Sequence, residues 1–321
     1  MRDYKNNPEI EINEYYQIEG ENDIKISLVI CCYNTAHLLK RSIKSYCNQD
    51  FNKNNFEIIF INDSSCDDVR EAIEYGIGKI NIRYIFLNHD FGMRGNQCAF
   101  NTGFAWAQGE ILSETTAETI FTPDSIRIMH DTHNGVTNTF CAMKTYNLTP
   151  ELQIMIDDVD WESDVNLIKT LPNFENDWTL NNVKTTHFGT HQTCSIRKDV
   201  FYRLFPDGGF PLYGGYGEED PRYSGVRERN KINDITIMEP MIFHQWHVPY
   251  YFWQMKGKSK YINKFGHSTS NFMNDTSGEV PPSGSACIFD GCSKEWFSDE
   301  EIENAKYLDD LIRQTGCEIP F

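Results

Sequence analysis

The sequence predicts an α/β fold, a mainly parallel central sheet flanked by helices with a smaller and less regular region attached. Three observations carry that expectation. Between Ile24 and Thr122 short apolar runs alternate with stretches of helical periodicity. Such alternation builds parallel sheets covered on both faces. With 321 residues, 40% of them hydrophobic, the chain has enough apolar material to cover such a sheet, as one large domain or two modest ones. In order, strands are expected near Ile26 to Cys32, Phe56 to Asn62, Ile82 to Leu87 and Ile111 to Thr115. The helix His37 to Cys47 places Leu39, Ile43 and Tyr46 on one face, and the helix Arg94 to Ala107 does the same with Ala99, Gly103 and Trp106. From Pro123 to Trp253 the pattern is less regular and richer in His, Trp, Tyr and Gly. After Gly266 a polar stretch, Ser268 to Ser285, reads as an exposed loop. A last helix starts at the capping-box spacing of Ser298 and Glu301, carries Ile302, Ala305, Leu308 and Ile312 as its apolar stripe, and stops at Gly316.

Charge and cysteine usage exclude several function classes. A net charge of -18 repels nucleic-acid backbones and anionic membrane surfaces, so a nucleotide phosphate would need a metal ion or a local Arg/Lys cluster. Residues 1 to 20 are polar and charged without the apolar core of a secretory signal, and no later run is long enough to span a bilayer. A cytoplasmic protein with no transmembrane segment is therefore expected. The ten cysteines are scattered through expected strands and helices, which favours reduced thiols over a disulfide framework. No Gly-x-Gly-x-x-Gly follows the first strand and no Walker-type Gly-Lys-Ser/Thr occurs, so the standard dinucleotide and P-loop readings fall away.

Ligands on parallel sheets bind at the carboxyl ends of the strands. There the sequence places Cys31, Tyr33 and Asn34 after the first strand and Asp63 after the second. Tyr33 can stack on a base and Asp63 can accept the imide hydrogen of a uracil. Each alone reads more readily as a core tyrosine or a helix N-cap, but together, at adjacent strand ends, they favour a base site. Far downstream lie Gly215-Tyr216-Gly217-Glu218-Glu219-Asp220 and then His244. Glycines let backbone pass close to a sugar, an aromatic can stack on a pyranose face, and adjacent carboxylates can divide acid-base labour.

These segments resemble the inverting family 2 glycosyltransferases of GT-A fold, whose sheet is Rossmann-like. The resemblance covers roughly Ile24 to Val248. It implies an N-terminal extension over 1–23, a glycosyltransferase domain over 24–260 (nucleotide-binding half 24–122, acceptor half 123–260), and a C-terminal loop and helix over 261–321. Asn62-Asp63-Ser64-Ser65 stands for the family's Asp-Asp-Gly-Ser-like turn, with Asp63 matching the carboxylate used on the base. Asn101-Thr102-Gly103 and Ala107-Gln108-Gly109-Glu110 look like its Asn-x-Gly helix and the Gly-Glu turn before the metal strand. Phe100 stands where many members place Arg, which makes Arg94 the candidate phosphate contact. Thr116-Ala117-Glu118 occupies the place of the metal motif Asp-x-Asp, so only Glu118 remains as its carboxylate.

The later segment resembles the Gly-Trp-Gly-x-Glu-Asp motif of family 2 enzymes and of the β-galactosyltransferase and chondroitin-polymerase group. That likeness makes Asp220 the general base, Glu219 a holder of hydroxyls and Tyr216 the aromatic in place of Trp. His244 matches the family's metal histidine, with His247 in reserve. The implied reaction is inverting transfer of a sugar from a nucleotide-diphosphate donor, expected to be a UDP-sugar, to a glycan or other hydroxyl acceptor. Mn²⁺ or Mg²⁺ is the implied cofactor, held by Glu118, His244, diphosphate oxygens and water. The alternatives are a nucleotidyltransferase and a catalytically inactive sugar-binding protein. A literal Asp158-Val159-Asp160 follows no Gly-Glu turn and sits in the acidic run Asp157 to Asp164, which reads as a solvated loop. His187 and His191 remain unassigned, and Cys287, Cys292 and Cys317 lack the paired spacing of a zinc site.

Overall fold

Short apolar runs dictate the centre of the molecule, and a computed structural model describes it for residues 3–33, 35–65, 67–88, 97–148, 150–172, 174, 178–180, 193–210 and 225–245. The strands are β1 (Ile10–Tyr16), β2 (Ile26–Cys32), β3 (Phe56–Asp63), β4 (Asn81–Leu87), β5 (Ile111–Thr116), β6 (Thr119–Ile120), β7 (Thr139–Leu148), β8 (Trp178–Leu180), β9 (Thr193–Arg197) and β10 (Asn233–His244). The helices are α1 (Ala36–Cys47), α2 (Val69–Ile73), α3 (Gln97–Trp106), α4 (Ser125–Gly135), α5 (Pro150–Met155) and α6 (Lys198–Leu204). All four expected strands are present within one or two residues of their expected limits. The last expected helix and the polar stretch before it lie outside the described residues, as does the start of the expected helix at Arg94.

Among the described residues these strands form one sheet in the order β1-β4-β3-β2-β5-β9-β7-β10-β6, with β8 on β7. Its left half, β4-β3-β2-β5, is parallel. A continuous apolar strand buried on both sides suits that position, and every residue of β3 is buried. The chain then runs antiparallel from β5 to β9 and from β9 to β7, and β10 lies parallel to β7. Two reversals restore the original direction, so β7 and β10 end at the same edge of the sheet as β2, β3 and β5.

Alternate side chains sort into two cores. Leu28, Ile30 and Cys32 of β2 face the core shared with α1, α2 and α4. Val29 faces the other, under α3 and α6. Gly103 is needed in α3 because a Cβ there would sit 2.3 Å from Val29 Cγ1, so helix and strand touch backbone to side chain. A third cluster, with Ile120, Tyr146, Trp161, Ile168 and Phe243, packs the 150–174 region onto the ends of β7 and β10. The acidic run belongs to that region. Its carboxylates are exposed, as expected, but Trp161 within it and Val165 just after it are buried and fasten the run down.

The segment read as an N-terminal extension contributes β1, which pairs antiparallel with β4 and closes that edge of the sheet. Tyr15 adds its ring to Arg83, whose guanidinium carbon lies 4.5 Å from it and 4.8 Å from Trp106. At the amino edge, buried Glu57 accepts from Ser27 Oγ (2.6 Å), Gln108 N (2.7 Å) and Gln108 Nε2 (2.8 Å). These bonds make the Gly-Glu turn before β5 a fixed point, so the strand's other end is well placed.

Candidate active site

The sheet register brings the expected donor-side residues to one edge. Cys31 lies opposite both Ile61 and Thr116, Cys32 opposite Asn62, and Asp63 opposite Leu87. Tyr33 follows β2 directly and is half-buried, whereas Asp63 closes β3 and is buried. The turn after β3 is tied down from three sides. Asn62 Oδ1 accepts Ser65 N (2.9 Å), Ser65 Oγ donates to Cys32 O (3.2 Å), and Ser64 Oγ donates to Leu87 O (2.6 Å). Ser64 has φ +60°, the left-handed region that explains why the family-like turn favours Gly there. Asp67 Oδ2 accepts Ala36 N at 2.7 Å and so fixes the first turn of α1. Burial pushes the Asp67 carboxyl up, and the Ala36 amide opposes that shift. Burial likewise raises the Cys32 thiol, with the charges of Asp67 and Glu118 adding to it, so Cys32 is a packing thiol.

Glu118 sits in the turn between β5 and β6. β6 pairs with the end of β10, where His244 lies opposite Thr119. The result is a contact across 126 residues of sequence: His244 Nε2 is 3.3 Å from Glu118 Oε1. Both side chains are mostly buried, 14% and 11% exposed. Their backbones are joined as well, because Gln245 N donates to Glu118 O at 3.0 Å. Behind the turn runs a buried hydroxyl chain. Thr193 Oγ1 lies 2.6 Å from Thr115 Oγ1, which lies 2.8 Å from Thr119 Oγ1, and Tyr46 OH donates to Thr119 O at 2.9 Å. Desolvation raises the Tyr46 phenol, so it stays a neutral donor.

The pair fits a divalent cation. Two donors on adjacent corners of an octahedron with ~2.1 Å bonds stand about 3 Å apart, close to the separation found. Among the described residues no group of three or more His, Cys, Asp and Glu side chains closes a metal site alone. A cation here would take its remaining ligands from a bound diphosphate and water. Thr116 Oγ1, two residues before Glu118, is buried and has no hydrogen-bond partner among the described residues, a polar atom left for a ligand at this edge.

The other expected site residues divide as follows. Asn34, Arg94, Tyr216, Glu219, Asp220 and His247, with His187 and His191, lie outside the described residues. Asp158-Val159-Asp160 lines a separate open cleft of about 860 Å³ on the outer face of α1. Its neighbours Asp157 and Glu162 pair with Arg41 and Lys44, each at 2.5 Å, and hold the run against α1. The residue that sequence reasoning missed is Gln245, fully buried beside His244. A glutamine within the apolar run Met241 to Trp246 was the available signal.

Residues 27–205 match the family described as Glycosyl transferase family 2. The chain belongs to that family. Two curated relatives of this family 2 chain are uncharacterised glycosyltransferases. One, from Nostoc sp. strain PCC 7120, is 33% identical over 108 residues, 32% of this chain and 31% of its own length. The other, from Rickettsia bellii, is 30% identical over 99 residues, 31% of this chain and 14% of its own. The match thus spans less than a third of either relative. Among solved structures, S. aureus TarS 1-349 in complex with UDP-GlcNAc aligns with TM-score 0.53 and 12% identity, over 92% of this chain and 82% of that one. Mannosyltransferase PcManGT from Pyrobaculum calidifontis, in complex with GDP-Man and Mn²⁺, aligns with TM-score 0.51 and 13% identity, over 95% and 79%. The fold of this family 2 chain is GT-A, with its largely parallel sheet flanked by helices. No helix among the described residues is long and apolar enough to cross a membrane.

Proposed function

We propose that this protein is an inverting, metal-dependent glycosyltransferase that moves a sugar from a nucleotide-diphosphate donor, a UDP-sugar, to a hydroxyl of a glycan or other acceptor. The observation that carries the reading is the Glu118–His244 pair, set at the same sheet edge as Tyr33 and Asp63. Supporting it, two structures of the same fold hold a nucleotide-sugar, and one of them holds Mn²⁺ as well. Tyr33 stacks on the base and Asp63 accepts its imide hydrogen. Cys31 and Thr116 line the strand ends beneath the donor, Asn34 and Arg94 complete its contacts, and Tyr216 packs on the sugar.

Glu118 and His244, with His247 in reserve, would hold Mn²⁺ or Mg²⁺, which would neutralise charge on the leaving diphosphate. Glu219 holds hydroxyls in register. Asp220 takes the proton from the acceptor hydroxyl as its oxygen attacks the anomeric carbon, and the bond to the diphosphate breaks on the opposite face with inversion. A carboxylate suffices as base because the hydroxyl acidifies only as the new bond forms. No disulfide joins any two of the six described cysteines, in keeping with action in the reducing cytoplasm.

Calorimetric titration with UDP, and with GDP, each with and without Mn²⁺, tests the reading. Metal-dependent UDP binding that is lost in Glu118→Ala and His244→Ala supports it, and Asp220→Asn should then abolish transfer while sparing donor binding. Failure to bind either nucleotide would leave a sugar-binding protein, and pyrophosphate release from nucleoside triphosphates would point to a nucleotidyltransferase.

A further inference from the structure

We propose that Gln245 is the positioning residue that sets the Glu118–His244 geometry, and that the ion affinity of the site depends on its side-chain amide. The inference rests on the metal-dependent reading above. Gln245 is fully buried, and its side chain meets the ligand Glu118 at the backbone carbonyl. Its Nε2 donates to Leu38 O (3.0 Å), Ser42 Oγ (3.0 Å) and Glu118 O (3.2 Å), while its backbone N–H also reaches Glu118 O. Gln153 Nε2 approaches its Oε1 at 3.5 Å. One amide therefore joins three elements: α1, the turn carrying Glu118 and the end of β10 carrying His244. Ser42 Oγ itself donates to Leu38 O (3.4 Å), so the hook is set into the wall of α1 rather than onto a mobile side chain.

This arrangement has a direct chemical consequence. Glu118 and His244 come from segments whose sheet contact is the two-residue pairing of β6 with β10. Two residue pairs permit small slides of one strand against the other. A donor pair needs its separation held to a fraction of an ångström to keep a cation with short, near-octahedral bonds. Gln245 removes that freedom by fixing the carbonyl of the ligand Glu118 and the chain position next to the ligand His244 to the same helix. Outer partners of this kind typically change metal affinity by roughly ten- to a hundredfold when lost.

The test compares wild type with Gln245→Met, which keeps the length and volume of the side chain and deletes its amide. Mn²⁺ binding is followed by the loss of the free-ion electron paramagnetic resonance signal, with UDP saturating and with UDP absent. The expected result is a roughly tenfold or greater fall in Mn²⁺ affinity with circular dichroism unchanged. A merely structural role would lower the melting temperature and leave the Mn²⁺ affinity of the folded protein alone, and that result overturns the proposal. Ser42→Ala, which removes one partner of the amide, is the second arm. It should lose Mn²⁺ affinity by a smaller factor, and if Gln245→Met does not fold, unchanged affinity in Ser42→Ala overturns the proposal. Wild type that takes up no Mn²⁺, or whose uptake survives Glu118→Ala and His244→Ala, overturns the metal-dependent reading and this inference with it. Equal uptake by wild type and a folded Gln245→Met overturns this inference alone.

Discussion

Acid should unfold this protein partly through one histidine outside the candidate site. His133 lies in α4, almost wholly buried, with Nε2 2.9 Å from Ser195 Oγ and Nδ1 without a partner among the described residues. Desolvation, and then the nearby charge of Arg197, lower its pKa to about 4, against an opposing hydrogen bond from Ser195. In the unfolded chain the imidazole titrates near 6.5. The unfolded state therefore binds a proton first as pH falls, and the stability associated with neutral His133 is present above pH 6.5 and lost on the way down to pH 4. With those two values, linkage gives a loss of about 2 kcal/mol between pH 7 and pH 5 and about 3 kcal/mol by pH 4. The perturbation is His133→Gln, which carries no charge at any pH. Urea unfolding of both proteins followed by circular dichroism at pH 7 and pH 5 isolates the contribution, because all other acid-sensitive groups are shared. The stability advantage of wild type over the variant should shrink by about 2 kcal/mol across that interval. Parallel losses in the two proteins would refute the reasoning.

Two further expectations concern the sheet edge. At Ser64, glycine relieves a left-handed backbone cost of about 1–2 kcal/mol but deletes the bond to Leu87 O, worth about 1 kcal/mol. Ser64→Gly should therefore change stability by less than about 1 kcal/mol while Ser64→Val costs more than about 2, and denaturant midpoints that rank the two the other way would contradict the backbone argument. Cys31 is half-exposed at the edge where the donor is proposed to bind, so UDP with Mn²⁺ should slow its alkylation as read by peptide mass spectrometry. Cys47, also half-exposed but with its thiol pushed up to about 11 chiefly by burial, serves as the unprotected control, and equal protection of both would argue against a donor at this edge.

How much of this was legible in the sequence depended on burial. β2, β3, β4 and β5 are flanked by strands on both sides and covered on both faces, so the first three read as largely apolar runs, while β5 keeps that character in Ile111 and Leu112. β1 did not. Its Ile10-Glu11-Ile12-Asn13-Glu14-Tyr15-Tyr16 is an edge strand, half-buried along its length except for exposed Glu11, and its interspersed polar residues made it resemble an extension. β10 was obscured by Glu239-Pro240, where its register against β7 shifts between Ile237 and Ile242. A proline cannot continue the ladder, so the strand appears in sequence as two fragments. Tyr33, Asp63 and Glu118 could be placed from the strand pattern and the family resemblance. Their partner His244 could be named only by resemblance, because nothing local in the sequence announces which strand β10 will lie beside. Gln245 left one local signal, a glutamine within an apolar run, but its importance lies in contacts with residues of other elements.

The separation of 126 positions between Glu118 and His244 also sets an order of assembly. As the chain leaves the ribosome, β2, β3 and β5 can pair once residue 116 has emerged, and these already carry Cys31, Asp63 and Thr116 to their shared edge. The clasp has to wait for the closure of a far longer loop, the kind of contact that forms late. A chain stalled short of residue 244 would hold the ends of β2, β3 and β5 together with Glu118 but lack His244. An ion bound across Glu118 and His244 would stabilise only chains in which both residues have been made and brought together.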